Sequence, residues 1–159
     1  VERSRGLGDV YKRQEEKHRA GTENLISITG MAAALSESME HLEENLEHAQ
    51  DLKDSLLADL SDIEHYLNES QPSLPYVINL GFPNQKNDLL LLQMDLNGFS
   101  ISTGSACTAG AIQPSHVLQA MYGKDSNRLH ESIRISTSDQ TTLQEIQLFT
   151  KKLKEILGG

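Results

Sequence analysis

The sequence is poor in features that direct a protein out of the cell or into a membrane. With one cysteine among its 159 residues it cannot form an internal disulfide, so nothing favours secretion. Its longest run of large apolar residues is four leucines at 89–92, far short of the roughly 20 residues that cross a bilayer. No apolar stretch follows the basic residues near the N-terminus, as a signal peptide would require. We therefore expect a cytoplasmic protein with no membrane association.

Basic residues are also in the minority. The sequence has 14 lysines and arginines against 23 aspartates and glutamates, which gives a formal net charge of -9. An acidic surface repels phosphate backbones, so direct binding of nucleic acid is not expected. A hydrophobic content of 37% at this length suits one domain with a core and excludes two full-sized domains.

Residues 1–13 differ from the rest of the chain. They contain four basic and two acidic residues, and they show neither helical nor strand periodicity. A disordered native tail and a translated linker both fit this composition, and we favour the linker. We therefore predict that 1–13 is a leader unrelated to the fold and that 14–159 forms the domain.

Two helical patterns occupy the first half of the domain. Apolar residues from Leu25 to Ala49 recur at spacings of three and four, which predicts a long helix with one apolar face. Glutamates lie on its other face, which we interpret as a solvated surface. His41 and His48 are too weak a pair for a metal site and are also interpreted as surface residues. The same spacing continues to Leu67 and predicts a second helix.

Shorter elements follow in the second half. Alternating apolar and polar residues predict strands over 76–80, 99–102 and 131–136. Helices are predicted over 88–96, capped by Asn84 or Asn87, over 114–121 with Pro114 in its first turn, and from Thr141 onwards. Asn97 and Gly98 end the first of these. The fold class is therefore α+β, a small sheet packed with helices.

Cys107 is the candidate for chemistry. Its neighbours are small or polar, and Gly104 and Gly110 lie on either side of it. Such residues are typical of an accessible loop in which a thiolate can reach a substrate, whereas a structural cysteine normally has bulky apolar neighbours. The residues alone leave a reactive and a structural role open.

Three segments around and beyond Cys107 resemble a known family, as does one near the start. They read Gly104-Ser105-Ala106-Cys107-Thr108, Pro114-Ser115-His116-Val117-Leu118, Ser132-Ile133-Arg134-Ile135-Ser136 and Arg19-Ala20-Gly21-Thr22. Together with the start of the last helix, they resemble the cysteine desulfurases of the class V aminotransferase family, in particular the long-loop class. The resemblance implies the small C-terminal domain of a fold-type I transferase that depends on pyridoxal phosphate (PLP), preceded by a long linking helix.

The resemblance assigns roles position by position. Cys107 matches the nucleophile that accepts sulfur from L-cysteine and becomes a persulfide as L-alanine is released. Arg134 matches the arginine that holds the substrate carboxylate, a task suited to a planar fork of donors. Its simpler interpretation is a strand arginine in a surface ion pair. Thr22 matches a threonine that contacts the PLP phosphate from the neighbouring subunit, and it also suits a helix cap. Arg19 and Asn24 lie beside it in sequence.

One family feature is missing. The PLP lysine lies in a Ser-x-His-Lys context upstream of the Thr22 segment, and no lysine of this chain has that context. We therefore expect the chain to represent about the last two-fifths of such an enzyme and to be inactive alone.

The resemblance also implies partners. The complete enzyme would be a homodimer that passes sulfur to an iron–sulfur scaffold protein or a tRNA-thiolation protein, and Cys107 could transiently hold a cluster. No other metal is expected. The alternative is a stand-alone acidic interaction module that presents Cys107 as a sulfur acceptor or redox thiol. Weaker alternatives are a selenocysteine lyase, deprotonation of Cys107 by His116, and a triad of Ser105, His116 and Asp125.

Overall fold

The computed structural model describes residues 23–104 and 114–158. The chain divides into two compact units, residues 1–42 and 43–159. In the first unit, helix α1 (Leu25–Glu40) begins after Asn24, whose side-chain oxygen accepts from the backbone N–H of Ser27 at 3.1 Å. None of its residues is buried. The apolar side chains on it, from Leu25 to Met39, are all 47% exposed or more.

Helix α2 (Leu42–Asp59) belongs to the second unit from Glu43 onwards. The first predicted helix is in fact divided at His41. Helix α2 buries Leu52 and Leu56 and then ends in tight turns, in which Ser61 and Ile63 bond to carbonyls three residues earlier. The prediction that the second helix reaches Leu67 was therefore wrong. Leu67 belongs to a strand, because pairing with a distant strand overrides local helical spacing.

Three strands form one antiparallel sheet. Strand β1 (Tyr66–Leu67) and strand β3 (Ser132–Ser136) lie on either side of β2 (Val77–Gly81). Alternation sends Ile78 and Leu80 of β2, with the isoleucines of β3, into the core. Asn79 of β2 pairs directly with Arg134 of β3, and both therefore face away from that core.

Four more helices lie in the described residues of this unit: α3 (Asn87–Leu96), α4 (His116–Tyr122), α5 (Arg128–Glu131) and α6 (Leu143–Leu157). Side chains of α2, α3 and α6 share one apolar cluster with the core face of the sheet. The start of helix α6 is fixed by local residues, because Thr142 and Glu145 form a reciprocal capping box. The predicted α+β architecture is confirmed.

Several local predictions need correction. Neither Asn84 nor Asn87 caps α3: its cap position is Lys86, and the Asn87 amide instead donates to the carbonyl oxygens of Leu129 and Ser132. Pro114 precedes the cap residue Ser115 of α4, so it is not in the first turn. Residues 99–102 make only a single bridge, at Ser102, and α5 was not predicted.

The interpretation of His48 also changes. It is half-buried, and its Nε2 lies 2.8 Å from the carbonyl oxygen of Thr141, just before α6. The ring therefore links α2 to the start of α6 within the second unit. It is a structural contact rather than a purely solvated surface residue.

Candidate active site

Arg134 is the middle residue of the edge strand β3, and its backbone is held on both sides. It pairs with Asn79 of β2, and on the other side it exchanges two hydrogen bonds with Ser102, at 2.7 and 3.0 Å. Its side chain is exposed and lines a cleft of about 420 Å³. Within 23–104 and 114–158, the guanidinium has no ion-pair or hydrogen-bond partner, so the surface ion pair considered above is not found there.

The cleft is built from five parts of the second unit. They are the segment after β1, strand β2, the chain on either side of 105–113, helix α4, and strand β3 with Arg134. The lining residues are Asn68, Glu69, Ser70, Pro72, Ser73, Leu74, Val77, Asn79, Gly104, Ser115, Val117, Leu118, Met121 and Arg134. Polar groups and a cation therefore share the cleft with an apolar wall.

Cys107 itself lies outside the described residues, as do Ser105, Thr22 and Arg19. The described residues closest to Cys107 in sequence are nevertheless informative. Gly104 precedes the segment 105–113 and Ser115 follows it closely, and both line the cleft that contains Arg134. Described residues on both sides of the Cys107 segment therefore lie at this cleft.

Behind the cleft, Arg128 is held between two aromatic rings. Its guanidinium carbon lies 4.1 Å from the ring centre of Tyr66 and 4.4 Å from that of Tyr122. The Tyr66 hydroxyl donates to Glu131 at 2.8 Å. Burial, followed by that hydrogen bond, raises the pKa of Tyr66 well above its usual value, so it remains a donor.

Gly81 allows this stacking because it has no side chain. It pairs with Tyr66 across β1 and β2, and a Cβ atom there would lie 1.8 Å from a ring carbon of Tyr66. Any larger residue would therefore displace the ring from Arg128.

A chain of amide contacts connects Arg128 to the cleft. Its Nη1 donates to Oδ1 of Asn68 at 2.8 Å. The Nδ2 of Asn68 donates to Oδ1 of Asn79 and to the hydroxyl of Ser132, each at 2.8 Å. Asn68, Asn79 and Arg128 were not predicted as site residues from the sequence. The only sequence signal was a polar residue at 79, within a predicted strand and between two core positions.

The rim of the cleft after β1 is anchored by a buried cation. Lys53 of α2 is 6% exposed and forms an ion pair with Glu69, which also accepts hydrogen bonds from Ser73 and Gln71. The hydrogen bond from Lys53 is the main reason that the pKa of Glu69 lies below its usual value. The contacts hold a segment that contributes Glu69 and Ser73 to the cleft.

The remaining candidates gain no support. Asn24 caps α1, His116 is the first residue of α4, and Asp125 is exposed between α4 and α5. No group of three acidic, histidine or cysteine residues that could hold a metal occurs in the part of the chain that the structure describes. No helix there is both long and apolar enough to span a bilayer. The cytoplasmic location stays a prediction.

The lysines do not suit the role of a PLP lysine at this cleft. None of those in 23–104 or 114–158 lines it, and the buried one, Lys53, is paired with Glu69. The PLP lysine that the resemblance implies is therefore not identified among these residues.

Solved structures that superpose on this chain identify its class of fold. A solved structure titled NifS-like protein superposes with a TM-score of 0.77 and 30% identity, over 92% of this chain and 37% of its own. A NifS-like protein from Rickettsia africae gives the same TM-score at 27% identity, over 93% and 39%. The fold is therefore that of the PLP-dependent aminotransferases.

The sequence pattern of the family Aminotransferase class-V matches residues 3–149, and the chain belongs to that family. IscS 1 of Bacillus subtilis, which carries the name of a cysteine desulfurase, is 40% identical over 91% of this chain. The cysteine desulfurase NifS of Azotobacter vinelandii is 33% identical over the same share. The chain spans only 39% and 37% of the lengths of these two relatives.

The family match bears on the N-terminal segment. It begins at residue 3 and so includes most of 1–13, which lies outside the described residues. The assignment of 1–13 as an unrelated leader stays a prediction.

Proposed function

We propose that this chain is the C-terminal part of a PLP-dependent cysteine desulfurase, which converts L-cysteine to L-alanine and stores the sulfur on Cys107 as a persulfide. The observation that carries the proposal is the environment of Arg134. A guanidinium without a partner among the described residues lines a cleft that Gly104 and Ser115, on either side of the Cys107 segment, also line. The names of the relatives support the same activity.

The proposed reaction balances without another reactant. The thiol of Cys107 gains the sulfur of L-cysteine and becomes a persulfide, –S–SH. The carbon–sulfur bond of the substrate breaks, and its methylene carbon gains a proton to become the methyl group of L-alanine. Sulfur is oxidised and that carbon is reduced by the same electron pair. PLP, bound in the complete enzyme, would supply the electron sink that such a cleavage needs.

Arg134 supplies the binding step in this proposal. Its guanidinium offers parallel donors that match the two oxygens of a carboxylate. Because its backbone is held by β2 and by Ser102, the fork is presented from a rigid element. A carboxylate bound there would keep the substrate in the cleft that Gly104 and Ser115, on either side of the Cys107 segment, also line.

The proposed role of Cys107 is supported by its covalent distance from the cleft. Three peptide units separate it from Gly104, so the two Cα atoms can be at most about 11 Å apart. The thiolate is the attacking form of such a cysteine.

Two further roles rest on the resemblance. Thr22 would contact the PLP phosphate across a homodimer interface, and the 159-residue chain alone would neither bind PLP as a Schiff base nor release alanine. The sulfur acceptor would be an iron–sulfur scaffold protein or a tRNA-thiolation protein. Cys107 would transiently hold an iron–sulfur cluster only if the acceptor is a scaffold protein.

The test uses the complete protein, restored from the sequence upstream of residue 14. We expect Cys107→Ser to keep PLP absorbance but to form no protein persulfide and no alanine with protein acceptors, because a hydroxyl is a poor nucleophile towards sulfur. Ser100→Ala serves as a control. A persulfide formed at the normal rate in Cys107→Ser would refute the proposal. An upstream sequence without a Ser-x-His-Lys segment would favour the stand-alone module instead.

A further inference from the structure

We propose that Asn79 is a second donor to the substrate carboxylate at Arg134, and that Arg128 is a positioning residue which orients the Asn79 amide through Asn68. The inference rests on the proposed function, because it assumes that Arg134 receives a carboxylate. It goes beyond that function because it adds Asn79 to the carboxylate site. It also gives the buried contact between Arg128 and Asn68 a role in orienting Asn79.

The orientation of the Asn68 and Asn79 side-chain amides follows from the guanidinium of Arg128, which can only donate hydrogen bonds. A guanidinium has no acceptor, so Asn68 must turn its Oδ1 towards Arg128, at 2.8 Å. The Nδ2 of Asn68 then faces Asn79, and it too can only donate. Asn79 must therefore present its Oδ1 to Asn68. Side-chain amides are normally ambiguous in this respect, but here a chain of donors selects one orientation.

The Nδ2 group of the Asn79 amide is available to donate hydrogen bonds into the cleft. Its Nδ2 has no hydrogen-bond partner among residues 23–104 and 114–158. Asn79 and Arg134 are directly opposite on neighbouring strands and both line the cleft. The Cβ atoms of such a pair lie about 4.5–5.5 Å apart. An amide N–H₂ and a guanidinium are therefore carried by neighbouring side chains at the same cleft.

Arg128 is held firmly enough to fix this orientation. Its guanidinium lies between the rings of Tyr66 and Tyr122, and the Tyr66 hydroxyl is bonded to Glu131. The ring of Tyr66 rests on Gly81. An amide set by these contacts before the substrate arrives loses little freedom on binding.

A simpler explanation is that the network only satisfies buried polar groups. Asn68 is 7% exposed and uses its Oδ1 and both Nδ2 donors, as a purely structural asparagine would. That explanation predicts no response of the Asn79 N–H₂ group to a ligand. The two explanations therefore differ in a signal that can be measured directly.

The test is a titration of the ¹⁵N-labelled 159-residue chain with L-alanine, the proposed product, followed by NMR. We expect the side-chain N–H₂ signals of Asn79 and the Nε–H signal of Arg134 to shift together. L-Alaninamide, which lacks the carboxylate, should shift neither. Asn79→Ala should weaken L-alanine binding by about tenfold, the lower end of what a hydrogen bond to a charged group contributes. The exposed Asn97→Ala should not.

A second variant tests the positioning role. Arg128→Gln introduces an acceptor, so that either orientation of Asn68 becomes possible. The Asn79 amide signals should then double or broaden, and L-alanine affinity should fall about twofold if both orientations are equally populated. The Arg134 response should persist. If Arg128→Gln does not fold, the titration of the unsubstituted chain still decides between the two explanations.

The failures can be told apart. If Arg134 responds to L-alanine but the Asn79 amide does not, or if Asn79→Ala binds normally, this inference is wrong and the carboxylate site stands. If neither residue responds, both the inference and the proposed role of Arg134 are wrong.

Discussion

The two faces of the β2–β3 pair differ sharply in what they do. One face carries Ile78, Leu80, Ile133 and Ile135, all buried against helices. The other carries Asn79 and Arg134, which line an open cleft. Both faces belong to the same two short strands, because successive side chains along a strand point to opposite sides of the sheet. Neighbours in sequence can therefore be divided between stability and binding, and a substitution should reveal to which face its residue belongs.

The largest effect is expected on the core face. Ile133 is fully buried, so Ile133→Ala should lower the free energy of unfolding by about 2–5 kcal/mol through lost burial and a cavity. Urea unfolding of the 159-residue chain measures this. Val77→Ala, on β2 but half-exposed, is the control and should cost less than about 1 kcal/mol. Equal losses in the two variants would contradict the division between faces.

On the cleft face, Arg134→Lys should behave in the opposite way. In the complete protein, a point charge cannot replace the bidentate fork, so binding of L-cysteine should weaken by about 1.5–3 kcal/mol. The unfolding free energy should change by less than about 0.5 kcal/mol, since the side chain is exposed and has no partner in 23–104 or 114–158. Pre-steady-state PLP spectra at varied L-cysteine give the affinity. Unchanged affinity would remove Arg134 from the binding site.

The rim of the cleft should show a dependence on pH. The pKa of Glu69 in the folded chain lies below its ordinary value of 4.5. The ion pair of Glu69 with Lys53 therefore contributes its full stability above pH 4.5, and this contribution is lost as the pH falls through the lowered pKa. Glu69→Gln should cost about 1–3 kcal/mol at pH 7, because it leaves a buried ammonium without its carboxylate.

Urea unfolding at pH 7 and below pH 4 checks this prediction. The cost of Glu69→Gln should shrink at the lower pH. Glu155→Gln removes the partner of Lys152 on the surface and is the matched control, for which we expect no measurable change. A cost of Glu69→Gln that is the same at both pH values would mean that the ion pair is not its cause.

The smallest effect is expected from the N-terminal segment. If residues 1–13 are unrelated to the fold, deleting them should leave the unfolding free energy unchanged, and their amides should exchange rapidly with deuterium. Protection comparable with that of α1 would instead make the segment part of the domain, in agreement with a family match that begins at residue 3.

Helices α1 and α6 show what hydrophobic periodicity in a sequence can and cannot predict. Both have apolar residues at helical spacing, and both were predicted. Helix α6 buries Ile146, Phe149 and Leu153 in the core, whereas α1 buries nothing. Spacing identifies the apolar face of a helix, because it reflects only the 3.6-residue turn. It does not identify what packs against that face.

The family, the α+β class, most of the elements and the candidates Cys107 and Arg134 could be derived from residues close together in the chain. Local spacing, turn residues and short motifs carry that information. The end of α2 at Asp59, the bridge at Ser102 and the pairing of Asn79 with Arg134 could not be derived in this way. The contacts that connect Arg128 to the cleft join residues up to 60 positions apart. Their partners are selected by strand register and packing, which depend on the whole chain.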